Sequence, residues 1–368
     1  MSLLNFIIWS ADPVIVKIPL FNGAEHPIVW YGLLFALSFI IGQQFVTWFF
    51  RSEGRDEKDV DQLTMYLIAG TVLGARLGHC LFYNPDFYLS NPLEILKIWE
   101  GGLASHGGVV GVLIVLYLYS RNKSDQSYYW VLDKIAIVVF LFGAFVRFGN
   151  YVNSEIIGLP TGSENGVVFA RNIEEMFLNS KMNISSVEFE KGGDAPSSQE
   201  GHVPIKIILK FEKGNDLNEQ AAAAYVNSEV KPTITRYASL SKHINMSGKE
   251  YPKFNLYKSK GNQFLEIHTL GIPRHPAQLY ESLYCFVLFF VFLYIWYYHR
   301  NKFNEGFIFG LWMLTLWSLR FTDEFFKENQ EAFEEGMTLN MGQLLSIPLI
   351  IIGIYIVATR WKKPVTVN

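Results

Sequence analysis

The sequence predicts an all-α integral membrane protein with seven transmembrane helices and a small, partly β insert between helices 4 and 5. Half of the 368 residues are hydrophobic and 16% are aromatic, a composition that is unusual for a soluble domain. A helix needs roughly 20 mostly apolar residues to cross a bilayer. Seven stretches approach that length, at residues 28–49, 63–83, 104–120, 130–150, 279–299, 303–321 and 343–360.

The distribution of Lys and Arg among the short loops predicts the orientation of these helices. Basic residues follow the first, fifth and seventh spans and flank the loop after the third, whereas the alternate loops contain fewer. Because basic residues accumulate on the cytoplasmic side, we expect the N-terminus outside and the C-terminus inside. The initial "MSLLNFIIWSADP" lacks a basic n-region and a long apolar core, so we interpret it as a surface-lying segment and not a signal peptide.

Residues between the fourth and fifth spans have a different character. The stretches "ISSVEFEKGG" and "VPIKIILKFEKG" partly alternate apolar and polar residues, which predicts short strands, and "DLNEQAAAAYVNSE" predicts a short helix. The chain therefore divides into helices 1–4 at 1–162, an outside head or insert at 163–268, and helices 5–7 at 269–368. We expect His202 and His243 in the insert to be surface residues.

The charge and the motifs of the sequence argue against several classes of function. The formal net charge of −3 gives no basic footprint for nucleic acid. Cys80 and Cys285 lie in apolar runs without the spacing of a zinc site or disulfide framework. The sequence contains no GxSxG, HxxxxD or HExxH motif. We therefore expect neither a metal nor a cofactor.

Charged residues within the second and third spans are the first candidates for a site, because charge inside a bilayer is costly. In "GTVLGARLGHCLFY", Gly70, Gly74 and Gly78 allow close helix packing, while Arg76 lies mid-span. The third span begins "GGLASHGGVVGV", where two glycines predict irregular backbone and Gly107 with Gly111 again allows close packing. Next to them, His106 has a side chain able to accept or donate a proton near neutral pH.

Polar residues also gather at the ends of the other predicted spans. In "AFVRFGNYVNSE", Arg147, Asn150 and Ser154 recur at offsets of three and four, so continued helix would align them with Glu155 on one face. The stretches "GIPRHPAQLYE" and "SLRFTDEFF" contribute Arg274, Gln278, Glu281, Arg320 and Glu324. Because arginine binds phosphate through a fixed fork of donors, these residues predict a site for an anionic lipid headgroup near the outer membrane surface.

Seven blocks in order carry a resemblance to a known family. They are "WYGLLFALSF", "GARLGHCLFY", "IWEGGLASHGGVVGV", "VRFGNYVNSEIIGLPT", "PRHPAQLYE", "LRFTDEFF" and "MGQLLSIP". Their order and spacing resemble those of the bacterial prolipoprotein diacylglyceryl transferases across residues 1–162 and 270–360. The insert departs from this pattern because it is longer than the outer head usual in the family.

The resemblance implies an enzyme of the bacterial inner membrane that is multi-pass, has its active site toward the periplasm and carries the insert as a periplasmic head. The implied reaction transfers the diacylglyceryl group of phosphatidylglycerol to the lipobox cysteine thiol of a preprolipoprotein, forming a thioether and releasing glycerol phosphate. The catalytic candidates are His106, Arg147, Arg320 and Glu324. The substrate-binding candidates are Tyr31, Arg76, Asn150, Asn153, Glu155, Arg274, Gln278 and Glu281.

Within this group we expect the two arginines Arg147 and Arg320 to bind the phosphate. His106 is the first choice for the base that takes the thiol proton, with Glu324 or Glu155 as rivals. Two other classes stay open, because Gly-rich helices with buried charges are also typical of a membrane lipid or anion transporter or of a membrane scaffold protein. A transporter usually has two repeated halves, and no convincing internal repeat is found.

Overall fold

The computed structural model describes residues 6–19, 25–194, 201–214, 216–247, 252–328, 334 and 336–361. Two compact units are present. The first, here called the head unit, comprises Met1–Leu33, Val146–Ser282 and Asp323–Asn340. The second, here called the helix unit, comprises Leu34–Phe145, Leu283–Thr322 and Met341–Asn368.

The described residues contain twelve α-helices. They are α1 (Trp30–Ser52), α2 (Lys58–Phe82), α3 (Pro85–Ser90), α4 (Ser105–Arg121), α5 (Tyr128–Val152), α6 (Arg171–Leu178), α7 (Glu219–Tyr225), α8 (Lys231–Arg236), α9 (Ala238–Ser241), α10 (Ala277–His299), α11 (Phe307–Asp323) and α12 (Met341–Arg360). Short 3₁₀ turns occupy Pro92–Leu96, Ile98–Glu100, Arg300–Lys302 and Glu324–Phe326, and a π-helical turn occupies Val226–Val230.

The described residues also contain nine β-strands. They are β1 (Phe6–Trp9), β2 (Val14–Pro19), β3 (Glu25–Val29), β4 (Gly166–Phe169), β5 (Ile184–Lys191), β6 (Val203–Phe211), β7 (Ile244–Asn245), β8 (Lys253–Ser259) and β9 (Asn262–Gly271). β1 pairs in parallel with β4, and β2 forms an antiparallel hairpin with β3. The remaining five strands form one antiparallel sheet in the order β5-β6-β9-β7, with β8 also paired to β9.

Four helices among the described residues are long and apolar enough to cross a membrane, at Trp30–Ser52, Lys58–Phe82, Ala277–Lys302 and Met341–Arg360. This finding supports a membrane protein. All seven apolar segments of the sequence fall on helices, namely α1, α2, α4, α5, α10, α11 and α12. Two of these, α4 and α11, have only 17 residues, or roughly 25 Å at 1.5 Å per residue, so the number of spans stays a prediction.

Glycines set the packing of α2 against α4 in the helix unit. A Cβ atom built on Gly74 would lie 2.4 Å from the Gly107 carbonyl oxygen and 2.9 Å from the Gly111 Cα. Conversely, a Cβ on Gly107 would lie 2.2 Å from the Gly74 carbonyl oxygen. These separations are shorter than van der Waals contact, so only glycine allows the two backbones to touch. The close packing predicted from the spacing of these glycines is confirmed.

The sheet of the head unit has one apolar face. Along β6, the sequence "VPIKIILKF" buries Val203, Ile205, Ile207 and Leu209, which pack with Phe177 of α6 and residues of α7 and α8. The alternation follows from the two-residue repeat of a strand. Both stretches predicted as strands, residues 184–193 and 203–214, contain strands, and the helix expected within 216–229 is α7.

Three expectations about the head unit are wrong. Residues 6–9 form strand β1, and Phe6 is 1% exposed within the core of the head unit, so this piece of the N-terminal segment is not surface-lying. The described residues also contain β2 and β3 before α1, strands that the fold class did not include. His243 is 2% exposed and not a surface residue. Burial, with the charges of Lys242 and Arg274, lowers the pKa of His243 to about 3.

The contact between α2 and α4 makes a testable prediction. Gly74→Ala places a methyl group where backbone atoms of α4 already lie, so we expect a loss of about 1–3 kcal/mol of stability from overpacking. Gly108→Ala is the matched control, because the nearest atoms to its Cβ are 3.6 Å away. Thermal unfolding in detergent measures both, and equal midpoints for Gly74→Ala and wild type would contradict this packing.

Candidate functional site

The end of α5 forms an unusual turn in the head unit. The helix stops at Val152, and Ser154 and Ile156 then adopt left-handed backbone conformations with φ of 57° and 53°. The expectation of continued helix through Ser154 is therefore wrong. A β-branched residue such as Ile156 is strained in this region. Such strain persists only where the surrounding structure enforces it, which marks the turn as a constrained part of the site.

This turn holds the Glu155 carboxylate between two amides. The Asn150 side chain donates to Glu155 Oε2 at 3.3 Å, and the Asn153 side chain donates to Oε1 at 3.2 Å. The fully buried Gln278 side chain of α10 donates to the Glu155 main-chain carbonyl. Four of the predicted substrate-binding residues, Asn150, Asn153, Glu155 and Gln278, are therefore brought together. Because α5 ends at Val152, Ser154 and Glu155 do not continue the helical face of Arg147 and Asn150.

A chain of alternating charges lies beside the turn. The Arg147 Nε atom is 2.8 Å from Glu281 Oε2, and the buried Lys327 ammonium pairs with the other Glu281 oxygen. Lys327 Nζ is also 3.5 Å from Glu324 Oε1, and Asn340 donates to Glu324 Oε2 at 3.1 Å. The order Arg147, Glu281, Lys327 and Glu324 alternates in sign, so each buried charge is compensated by its neighbours.

Arg147 retains donors that this chain of charges does not use. Its Nε atom binds Glu281, and among the described residues no acceptor contacts its two terminal amino groups. The Arg147 side chain as a whole is 19% exposed. A guanidinium held by one edge with its outer amino groups free is well suited to a phosphate.

Tyr31, at the start of α1, packs directly against α5. A Cβ atom on Gly149 would lie 2.9 Å from the Tyr31 ring and 3.2 Å from its Cα, so glycine is required for this approach. The Tyr31 hydroxyl group lies within electrostatic range of Glu155 and Arg147. The structure thus brings Tyr31 together with two other predicted site residues.

Arg274 is buried, and protein groups contact its guanidinium. The side chain is 2% exposed, donates from Nε to the Gly158 carbonyl at 3.1 Å and from Nη1 to the Lys242 carbonyl at 3.3 Å, and pairs with Glu328. Burial lowers the pKa of Arg274, and the Glu328 carboxylate opposes this effect. Each of the three guanidinium nitrogens therefore has a protein partner.

Main-chain hydrogen bonds join three segments of the head unit at Gly158. The Gly158 amide donates to the His275 carbonyl at 3.0 Å, and the Leu159 amide donates to the Phe326 carbonyl at 2.8 Å. A Cβ on Gly158 would lie 2.4 Å from the His275 oxygen. The segments after α5, before α10 and after α11 are thereby fixed to one another, and these segments adjoin Arg147, Glu281 and Lys327.

In the helix unit, Arg76 anchors a loop. Its guanidinium donates to the carbonyls of Glu94 at 2.6 Å, Ile95 at 2.9 Å and Gly101 at 2.6 Å. Gly101 and Gly102 have φ of 85° and 72°, so the irregular backbone predicted here is confirmed. The structure does not show Arg76 donating to another predicted site residue, and its donors are occupied by the 92–104 loop.

The helix unit also contains His106 and Arg320. His106 is an exposed residue at the start of α4, and its imidazole lies within electrostatic range of the Arg320 guanidinium. Among the described residues, no group hydrogen-bonds to the His106 ring. This imidazole is therefore chemically available, in contrast to the Glu155 and Glu324 carboxylates, whose oxygens already have partners.

Sequence reasoning missed the residues that connect the site. Lys327, Asn340 and Glu328 were not predicted, because a polar stretch following an apolar helix resembles an ordinary solvated end. The available signal was the i, i+3 spacing of Glu324 and Lys327. Within the described part of the chain, no group of three or more His, Cys, Asp or Glu residues is arranged to hold a metal.

Long apolar helices, together with buried and paired charges beside an arginine with free donors, define a membrane protein with a candidate anion-binding site. The chain belongs to the prolipoprotein diacylglyceryl transferase family, whose model matches residues 19–359.

Relatives match over nearly their entire length, and each of the following is named a phosphatidylglycerol-prolipoprotein diacylglyceryl transferase. The protein from Chloroherpeton thalassium is 33% identical over 98% of this chain and 96% of its own length. The protein from Tolumonas auensis is 32% identical over 97% of this chain and 98% of its own. The protein from Porphyromonas gingivalis is 33% identical over 100% of this chain and 99% of its own.

The position of Arg76 makes a second testable prediction. Arg76→Lys keeps the charge but loses the fork of donors, so we expect faster hydrogen exchange in residues 92–104 and about 1–3 kcal/mol of lost stability. Arg121→Lys, at the other end of α4, is the control for the same chemical change. Unaltered exchange in the loop of Arg76→Lys would show that Arg76 does not anchor it.

Proposed function

We propose that this protein transfers the diacylglyceryl group of phosphatidylglycerol to the lipobox cysteine thiol of preprolipoproteins. A carbon–sulfur thioether bond forms, the carbon–oxygen bond to phosphate breaks, and glycerol phosphate leaves. The observation that carries this proposal is the family match over residues 19–359, together with relatives of the same name matched over nearly their full length.

The proposed location is the bacterial inner membrane, with seven spans, an outside N-terminus and the site toward the periplasm. The helical state of all seven apolar segments supports this topology, as does the accumulation of Lys and Arg in alternate loops. In this topology, residues 1–162 and 269–368 form the transmembrane core. Residues 163–268, which contain β5 to β9 except for the end of β9, form the periplasmic head.

Arg147 is the proposed principal ligand of the lipid phosphate. Its free terminal amino groups suit two phosphate oxygens, and the 2.8 Å contact with Glu281 fixes the orientation of the fork before substrate arrives. As the carbon–oxygen bond breaks, charge grows on the leaving phosphate. A preorganised cation stabilises that charge more than the ground state, which is the origin of catalysis here.

Other residues of the head unit serve as positioning groups in this proposal. Asn150, Asn153 and Gln278 hold Glu155, and Lys327 holds Glu281 and Glu324. Tyr31 orients the lipid next to them. Arg274 and Arg76 contribute indirectly, by fixing the segment around Gly158 and the 92–104 loop respectively.

His106 is the proposed base for the cysteine thiol. An ordinary thiol has a pKa near 8.5, so only a few per cent is thiolate at neutral pH and a base is needed. The His106 ring has no hydrogen-bond partner among the described residues, whereas both oxygens of Glu155 and of Glu324 are engaged. Arg320, whose charge acts on His106, is the second proposed arginine for the phosphate.

The reaction is tested with purified protein, phosphatidylglycerol and a lipobox peptide. We expect the peptide to gain the mass of one diacylglyceryl group. Arg147→Ala should lower kcat/KM by about 10²–10³, the effect of removing one preorganised donor to developing charge. Arg147→Lys should recover only part of this loss, because it restores charge without the fork.

Arg171→Ala is the control for this experiment, because Arg171 forms a separate ion pair with Glu175 in the head unit. Wild-type rates in Arg147→Ala would exclude the proposed phosphate role. Lipid movement across vesicles without peptide modification would instead support a transporter.

The role of His106 is tested separately. His106→Gln keeps a polar side chain but cannot take a proton, so we expect turnover to fall by about 10²–10⁴ with phosphatidylglycerol binding nearly unchanged. His26→Gln, at an exposed position of β3, is the control. Undiminished turnover in His106→Gln would remove His106 from the mechanism and return the base to Glu324 or Glu155.

A further inference from the structure

A polar cavity lies entirely within the helix unit. Its volume is about 380 Å³, and it is lined at the end of α1, the beginning of α5 and the connection from α10 to α11. This volume falls at the small end of the roughly 300–1,000 Å³ of ligand pockets. The lining residues with charge are Glu53, Asp133, Lys134, Arg300 and Glu305. None of them belongs to the proposed reaction.

Glu53 is fully engaged by protein groups in this cavity. Its Oε1 atom accepts from the Trp296 indole at 2.7 Å and lies 2.9 Å from Lys134 Nζ. Its Oε2 atom accepts from the Trp130 indole at 2.6 Å. Burial opposes ionisation of Glu53, but Lys134 and the two indoles outweigh it and hold the pKa of Glu53 below its ordinary value.

In contrast to Glu53, the two basic residues Lys134 and Arg300 have N–H groups that no described residue accepts. Lys134 is 4% exposed, and its ammonium contacts Glu53 and the Trp130 ring, with no second hydrogen-bond acceptor among the described residues. Arg300 donates from Nη1 to the Tyr297 carbonyl at 3.0 Å, and its guanidinium lies over the Trp296 ring with Nε 3.8 Å from Glu53 Oε1. Its Nη2 atom has no acceptor in the described part of the chain. A buried ammonium with unused donors is costly unless an acceptor reaches it.

The other charged residues that line the cavity are acidic. Asp133 accepts from the amides of Gly306 and Phe309 at 2.7 and 2.8 Å. Glu305 accepts from the Ser127 hydroxyl through one oxygen, and its other oxygen has no partner among the described residues. Three carboxylates against two cations would repel a simple anion. A simple cation would leave the donors of Lys134 and Arg300 unused.

We propose that this cavity binds a zwitterionic aminophosphate headgroup, with its phosphate facing Lys134 and Arg300 and its ammonium facing Glu305 and Asp133. Such a ligand satisfies both signs of charge at once. The helix ends around the cavity carry the exposed aromatic side chains of Tyr297 and Tyr298, which are typical of a membrane interface. In the proposed topology this is the inner leaflet, and phosphatidylethanolamine is the lipid with this headgroup.

Native mass spectrometry of the full-length, delipidated protein tests the proposal. Phosphatidylethanolamine, phosphatidylcholine and soluble glycerophosphoethanolamine are titrated separately as probes. We expect phosphatidylethanolamine to bind, and Arg300→Gln and Glu305→Gln each to weaken its binding about tenfold, the effect of losing one charged hydrogen bond. Lys302→Gln is the matched control, because Lys302 carries the same charge but does not line the cavity.

The three probes distinguish a membrane lipid from a soluble aminophosphate as the ligand. Equal affinity for the soluble probe would support a free aminophosphate as the ligand, and preference for the lipid would support a membrane source. Phosphatidylcholine binding as tightly as phosphatidylethanolamine, or wild-type affinity in both variants, would overturn the proposal. Transfer assays on the same preparations are expected to give wild-type rates, so failure here is distinguishable from failure of the proposed reaction.

Discussion

The candidate site of the head unit depends on the main-chain hydrogen bonds around Gly158. Each of the three segments joined there adjoins a long helix, and each supplies part of the site: Arg147 from α5, Glu281 from α10 and Lys327 from the segment after α11. Hydrogen bonds between backbones fix positions without relying on flexible side chains. The absence of a Cβ at Gly158 is what permits three segments to meet at that distance.

Within the three segments joined at Gly158, charge pairing determines which side chains remain reactive. Glu281 lies between Arg147 and Lys327, and Glu324 between Lys327 and Asn340. Removing one member of a buried pair leaves an uncompensated charge, which is strongly destabilising. Arg147 is the last residue of this chain of alternating charges, and Glu281 compensates it through Nε alone. Its outer amino groups are therefore oriented by the protein and available to a ligand.

The sequence was sufficient to predict the apolar helices, because hydrophobic length is a local property that needs no tertiary information. It also predicted the glycine contact between α2 and α4 and most residues of the head-unit cluster. It could not predict that Arg76 and Arg274 donate to loop carbonyls, since the same residue type serves structure or ligand according to distant partners. Strand β1 was missed for a related reason, because it pairs with β4, more than 150 residues along the chain.

Backbone hydrogen bonds near Gly158 also explain how a long insert between α5 and α10 can be tolerated without a change in the site. The Thr161 amide donates to the Pro273 carbonyl at 2.9 Å, and the Arg274 and Val167 backbones pair in both directions. The chain therefore leaves and re-enters the site through two segments held side by side, with the sheet of β5 to β9 between them in sequence. Because the entropic cost of closing a loop rises only slowly with its length, the chain between these two segments can lengthen while Gly158, Arg147 and Glu281 keep their geometry. A longer head is thus compatible with an unchanged site.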